Sequence, residues 1–341
     1  MIDKDPHRAV LALVPVAAAL ICAGLIVLLR PLLQRYALAR PNARSSHLTP
    51  TPQGGGIAVM AATALATALT SYLGTPYPDN AIPVVLAAAF CLAAVGMIDD
   101  LRPIPVLPRL ALQLAAVALL FATLPSQLRI LEAIPLVLER GLLMLGLLWF
   151  INLVNFMDGL DWMTVAEMLP MTLALAAFAF VGEAPIDILP IALALGGALL
   201  GFAPFNRPVA RLFLGDVGSL PIGLLTGWCL LELAGRQHLA AALLLPLYYL
   251  GDATITLFRR MANRERFWDA HRSHFYQRAT DNGFSVGQVV ANVFLLNALL
   301  AGLAAVSIAI PSPPVDAAML VIGTLGVLAV LVRFSRSRAV G

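Results

Sequence analysis

Five short segments carry side chains suited to work on phosphates. In Met97-Ile98-Asp99-Asp100-Leu101-Arg102 two carboxylates stand side by side. They repel each other unless a divalent cation or a nearby arginine relieves them; the plain alternative is a solvated helix end. From Phe150 to Asp161 the polar residues Asn152, Asn155, Asp158 and Asp161 recur every three positions, which keeps them on one broad helix face, with Gly159 letting the chain turn out. Two amides could be glue between helices, but carboxylates add nothing that glue requires. In Arg211-Leu212-Phe213-Leu214-Gly215-Asp216-Val217-Gly218-Ser219 a carboxylate sits among small residues, open to a phosphate or to hydrated magnesium, which usually keeps only one or two protein ligands. His271-Arg272-Ser273-His274 lies among six arginines. That cluster suits a diphosphate or anionic lipid, whereas tetrahedral zinc needs two further His or Cys ligands and none is nearby. Lastly, Ser45-Ser46-His47 and Pro50-Thr51-Pro52-Gln53 lead into Gly54-Gly55-Gly56. N–H groups exposed by three glycines at a helix start fit an anion, unless the glycines form only a flexible turn.

The elements that must position these groups are membrane helices. Of the 341 residues, 60% are hydrophobic and 12% charged, against about 25% charged in a soluble domain. Apolar runs near 9–29, 55–73, 81–98, 107–124, 141–157, 166–182, 187–204, 219–233, 238–258, 286–310 and 315–333 approach the length of about 20 residues that crosses a hydrocarbon layer. The chain therefore reads as an all-α polytopic transmembrane bundle of about eleven spans, one integral membrane domain over 1–341. Links at 74–80, 183–186 and 311–314 are short and rich in Pro and Gly, while 30–54, 99–106, 158–165, 205–218 and 259–285 hold nearly everything polar.

Charge placement orients this bundle. Counting alternate loops, 17 of the 22 basic residues fall on one side, from Arg30, Arg35, Arg40 and Arg44 through the arginines of 259–278 to Arg333, Arg336 and Arg338. The positive-inside rule makes that side cytoplasmic, with the N-terminus periplasmic and the C-terminus cytoplasmic. Lys4 and Arg8 before the first run imitate a secretory signal, but its length and the four arginines after it favour a retained span. Cys22, Cys91 and Cys229 lie singly inside apolar runs and read as small core residues.

Taken in order, these segments resemble the polyprenyl-phosphate N-acetylhexosamine-1-phosphate transferases, the glycosyltransferase family 4 enzymes that start O-antigen, enterobacterial common antigen and peptidoglycan lipid intermediates. The resemblance rests on Ser45-Ser46-His47 with Pro50-Thr51-Pro52 and Gly54-Gly55-Gly56, on Asp99-Asp100, on Asn152 to Asp161, on Phe213 to Ser219, and on Ala270-His271-Arg272-Ser273-His274. The last segment looks closest to the O-antigen-initiating branch. The resemblance implies transfer of a sugar 1-phosphate from a UDP-N-acetyl sugar to undecaprenyl phosphate, with release of UMP, a magnesium requirement and a place in lipopolysaccharide or cell-wall biogenesis at the inner membrane. It also implies roles. Asp216 and Asn155 would hold magnesium; Asp99 and Asp100 would orient the lipid phosphate, either one serving as base; Asp158 and Asp161 would line the nucleotide end. Asn152, Arg211, Ser46, His47 and Thr51 would join substrate binding, and His271, Arg272 and His274 would meet diphosphate or sugar. No nucleic acid is expected as a partner, and a homodimer stays open.

Three positions depart from the family pattern: Trp162 where relatives often have Gly, Arg211 for a frequent Lys, and Gln53 at an often basic place. Two other readings compete. One is a phospho-N-acetylmuramoyl-pentapeptide-type transferase. The other, from a different class, is a secondary transporter of an anionic solute, which should show a midplane site and two similar halves.

Overall fold

The computed structural model describes residues 6–39, 50–72, 81–266 and 271–337. Backbone groups in a lipid interior must find partners within their own segment, and the apolar runs accordingly fold as helices. In chain order these are α1 (Pro6–Tyr36), α2 (Gly55–Tyr72), α3 (Ala81–Leu101), α4 (Val106–Thr123), α5 (Leu136–Met157), α6 (Met163–Phe180), α7 (Ile188–Asn206) and α8 (Asp216–Gly235). They continue as α9 (Leu239–Leu244), α10 (Leu247–Ala262), α11 (Phe275–Asp281), α12 (Val286–Ala309) and α13 (Pro313–Ser335). The first polar loop contributes one small antiparallel pair, β1 (Leu38–Ala39) with β2 (Thr51–Pro52).

Among the described residues nine helices are long and apolar enough to cross a membrane. The two other runs read from the sequence form α2 and the pair α9 and α10. Pro246 separates that pair; it has no N–H to continue the ladder and ends the first piece. The protein is thus a multi-pass, nearly all-α membrane bundle. Leu20, Leu28, Val137 and Leu325 stand exposed on its long helices, a lipid-facing surface.

α8 is the most buried of these spans, and its first turn is where neighbouring backbones approach closest. A Cβ on Gly56 of α2 would lie 2.2 Å from Cα of Gly218, and one on Gly96 of α3 2.2 Å from the Asp216 carbonyl oxygen. Small residues permit such contact between membrane helices. α1 is fitted as tightly to α7, where a Cβ on Gly197 would lie 2.2 Å from the Pro15 carbonyl oxygen.

Two features correct the sequence reading. The Gly55 and Gly56 N–H groups donate to the Phe213 and Leu214 carbonyls at 2.9 and 2.8 Å, so neither is open to an anion. Cys91 is exposed, while Cys22 and Cys229 are buried as expected.

At the end of the bundle away from the polar segments described above, the 124–135 connection is fastened to α5. The fully buried Glu139 accepts from the Ile130 and Leu131 N–H groups at 2.6 and 2.8 Å and from the Arg129 guanidinium. Arg140 donates to the Pro125 and Leu128 carbonyls.

Candidate active site

The acids and amides read from the sequence come together where α3 and α5 end and α8 begins. The adjacent pair on α3 is divided between two partners. Asp99 accepts from Ile104 N at 2.5 Å and from Arg109 Nη1, on the first turn of α4, at 2.9 Å. Asp100 accepts from the N–H groups of Asp216 and Val217 at 3.0 and 3.1 Å. Its carboxylate therefore closes the N-terminus of α8, where unsatisfied N–H groups and the helix dipole favour an anion. Gly215, which precedes the helix at φ 78°, has no side chain to do so, and a Cβ there would lie 2.5 Å from Asp100 Oδ2. The repulsion expected of two neighbouring carboxylates is relieved by one arginine and one helix end.

Asp216, the first residue of α8, accepts from Asn155 Nδ2 at 2.7 Å and has its other oxygen 3.8 Å from Arg109 Nη1. Asn155 Nδ2 also donates to Ser219 Oγ at 2.9 Å. Arg109, read from the sequence only as a topology charge, thus sits between Asp99 and Asp216. Gln53 Nε2 donates to the Asp100 carbonyl at 2.8 Å and ties the first polar loop to the same place.

Asp158 caps the end of α5 and accepts from the Thr164 hydroxyl. Burial pushes its carboxyl up to about 7; the Thr164 hydrogen bond opposes this, and the charges of Asp100 and Asp161 add to it. Asp161 is buried and accepts from Ala210 N at 2.9 Å. Next to it, Trp162 adopts φ 64°, the left-handed backbone that favours Gly. Its N–H donates to Asn206 Oδ1 at 2.8 Å and its indole to the Ala203 carbonyl at 2.6 Å. Asn206 in turn donates to Leu212 O at 3.0 Å. Asp161 and Trp162 therefore pin the loop that delivers Asp216.

The remaining predicted residues divide. Asn152 is buried and donates to Gln113 Oε1 at 2.7 Å and to Leu148 O at 2.8 Å; it joins α5 to α4 and is not hydrogen-bonded to the acids. Thr51 is buried in β2, and Arg211 is exposed. Ser46 and His47 lie outside the described residues. His274 is buried, with its ring 4.8 Å from that of His271, 5.7 Å from that of Tyr276 and 6.4 Å from that of Phe156, two residues before Asp158. Arg272 donates to Thr280 Oγ1 at 3.1 Å and pairs with Asp281 at 3.2 Å.

Sequence reasoning missed Arg109, Gln113, Tyr276 and Asp252. Asp252 left a signal, a carboxylate inside the apolar run 238–258, where an ionisable residue is expensive unless it is used.

Among the described residues no three His, Cys, Asp or Glu side chains converge to cage a metal. The donor set instead fits a sparsely held hard cation. Asp216 offers carboxylate oxygens, and Asn155, whose Nδ2 is engaged by Asp216 and Ser219, offers Oδ1. Two oxygen donors suit magnesium, which completes its shell with water and phosphate.

Comparison with known proteins supplies the family. The family model described as Glycosyl transferase family 4 matches residues 82–234, the span from α3 through α8 that carries Asp99, Asn155 and Asp216. The chain is 31% identical to the decaprenyl-phosphate N-acetylglucosaminephosphotransferase of Mycobacterium tuberculosis (strain CDC 1551 / Oshkosh), covering 94% of this chain and 87% of that protein. It is 24% identical to a probable undecaprenyl-phosphate N-acetylglucosaminyl 1-phosphate transferase of Bacillus subtilis (strain 168), over 80% and 78% of the two chains. It is 27% identical to a phospho-N-acetylmuramoyl-pentapeptide-transferase of Mycobacterium sp. (strain JLS), over 74% and 82%. The chain accordingly belongs to glycosyl transferase family 4, as a polyprenyl-phosphate N-acetylhexosamine-1-phosphate transferase of glycan synthesis.

Proposed function

We propose that the protein transfers an N-acetylhexosamine 1-phosphate from a UDP-sugar to undecaprenyl phosphate at the cytoplasmic face of the inner membrane. An oxygen of the lipid phosphate forms a bond to the sugar-bearing phosphorus, the bond from that phosphorus to the bridging oxygen breaks, and UMP leaves. The observation that carries this reading is the gathering of Asp99, Asp100, Asn155, Asp158, Asp216 and Arg109 at helix ends on one side of a membrane bundle. A lipid phosphate held at the membrane surface meets a soluble nucleotide there.

Joining two anionic phosphates is limited by repulsion and positioning. Magnesium bound at Asp216 and Asn155 would supply charge neutralisation across the diphosphate. Arg109 adds a cation between Asp99 and Asp216. A phosphate monoester, with its second pKa at about 6, is largely ionised at neutral pH and hardly needs a base. Asp99 therefore serves to place Arg109, and Asp100 serves to place Asp216. Asp158 lines the nucleotide end, and the His271–His274 loop meets the diphosphate or sugar.

The names of two relatives support N-acetylglucosamine as the sugar, and a third leaves the muramoyl-pentapeptide donor as the second reading. The product would feed cell-surface polysaccharide synthesis, with the O-antigen route as one destination. Acids gathered at helix ends, not at midbundle, speak against a transporter. Purified protein with magnesium, undecaprenyl phosphate and a panel of UDP-N-acetyl sugars should release UMP with UDP-GlcNAc and lose that activity in EDTA. No release with any donor would sink the proposal.

A further inference from the structure

Asp252 stands in α10 with 0% of its surface exposed, beyond the segment matched by the family model. Its oxygens are surrounded by donors. Oδ1 accepts from Phe275 N at 2.9 Å and lies 3.2 Å from His274 Nδ1 and 3.4 Å from the Thr256 hydroxyl. Oδ2 accepts from Tyr276 N at 3.0 Å and lies 3.4 Å from the Tyr248 hydroxyl. A buried carboxylate is costly unless it is hydrogen-bonded, and this one is bonded on every side. α11 begins at Phe275, and His274 before it makes no capping bond of its own. Asp252 supplies that cap from a different helix.

The segment it secures is also docked on α5. Tyr276 Oη donates to the Phe156 carbonyl at 3.0 Å, and a Cβ on Gly159 would lie 2.1 Å from that hydroxyl. The His274 ring stacks on Phe156 and Tyr276. One carboxylate thus sets where the loop lies and how its histidine is turned.

We propose that Asp252 is a positioning residue for the transfer reaction. It holds the proton of His274 on Nδ1, so that Nε2 is the ring nitrogen presented to the donor substrate, and it clamps the 271–276 segment beside Asp158. A carboxylate behind a histidine fixes both tautomer and ring orientation. This inference rests on the transferase reading for its consequence, but the pairing itself is testable without turnover.

The test combines a mutant cycle with a direct view of the tautomer, using the full-length protein in detergent. Asp252→Asn and His274→Gln should each lower kcat/KM for the UDP-sugar by about 10- to 100-fold, and the double variant should be no worse than the poorer single one. Losses that multiply, or an Asp252→Asn enzyme with wild-type kcat/KM, would overturn the proposal. In case Asp252→Asn does not fold, the wild-type protein labelled with 15N-histidine is examined in mildly alkaline buffer, above the ordinary imidazole pKa of about 6.5. The signals lost in His274→Gln should report a protonated Nδ1 and a bare Nε2. A bare Nδ1 would overturn the pairing. A protein with the expected tautomer but no UMP release upholds the pairing and contradicts only the reaction.

Discussion

Asp99 and Asp100 are chemically identical neighbours with different work, and the difference lies in what each one touches. Asp99 is paired with Arg109 and Asp100 with the first N–H groups of α8. Asp99→Asn should reduce transfer at least about 100-fold, the scale for loss of a preorganised electrostatic contact, while the protein stays monodisperse in detergent. Asp100→Ala should also cost about 1 kcal/mol of stability, as loss of a helix cap does, which thermal unfolding would register. Asp158 supplies a prediction in pH. Burial pushes its carboxyl up to about 7, above the ordinary value of about 3.9, so the folded state keeps the proton longer than the unfolded one. Its contribution to stability is therefore full at low pH, declines as pH rises through that interval and levels off above about 7. The melting temperature of Asp158→Asn should not show that component of decline; identical pH profiles for variant and wild type would refute it. These residues were legible in the sequence because carboxylates in apolar surroundings stand out. Their division of labour was not, because the partners of Asp100 lie 116 and 117 positions away.

The glycines show how far local reading reaches at the scale of elements. Gly54 to Gly56 had two readings, an anion cradle or a loose turn, and the fold uses Gly55 and Gly56 for neither. Their N–H groups bond to the 213–214 backbone, and Gly56 lets α2 press against α8. Gly56→Ala should force those backbones apart, at a cost of about 1–3 kcal/mol as for other overpacked sites, and displace Asp216 with loss of activity. Gly146→Ala, with nothing within 4 Å of its Cβ, should leave thermal stability unchanged or slightly higher. Equal melting temperatures for the two variants would contradict this packing. The helices themselves were legible, since length and hydropathy are local. The break between α9 and α10 was not read from the sequence: the run 238–258 counted as one span, although Pro246 lies inside it. Trp162 is the reverse case. A departure from glycine in the sequence becomes intelligible once its left-handed backbone and its bonds to Asn206 and Ala203 are seen.

For the whole molecule, the asymmetry between two faces is what the sequence conveyed best. Ordered polar segments and the arginine bias pointed to the same end of the bundle, and the acids do meet at one end. Arg109 escaped notice because it looked like any other topology charge, and Asp252 because His274 and the Phe275 and Tyr276 N–H groups that it holds lie 22 to 24 positions away. The proposed orientation is open to test with Arg211→Cys, at an exposed position in the 207–215 loop. A membrane-impermeant maleimide should label it in inverted vesicles and spare it in intact spheroplasts; the opposite pattern would place the site outside. The central claim, that the cluster around Asp216 performs the transfer, is tested most directly by UMP release in matched preparations of wild type and Asp216→Asn. Both receive UDP-GlcNAc, undecaprenyl phosphate and magnesium. The account predicts UMP together with an undecaprenyl-diphosphate-linked sugar from the wild type, and at least about 100-fold less from a folded variant. Equal release by the two proteins would contradict it.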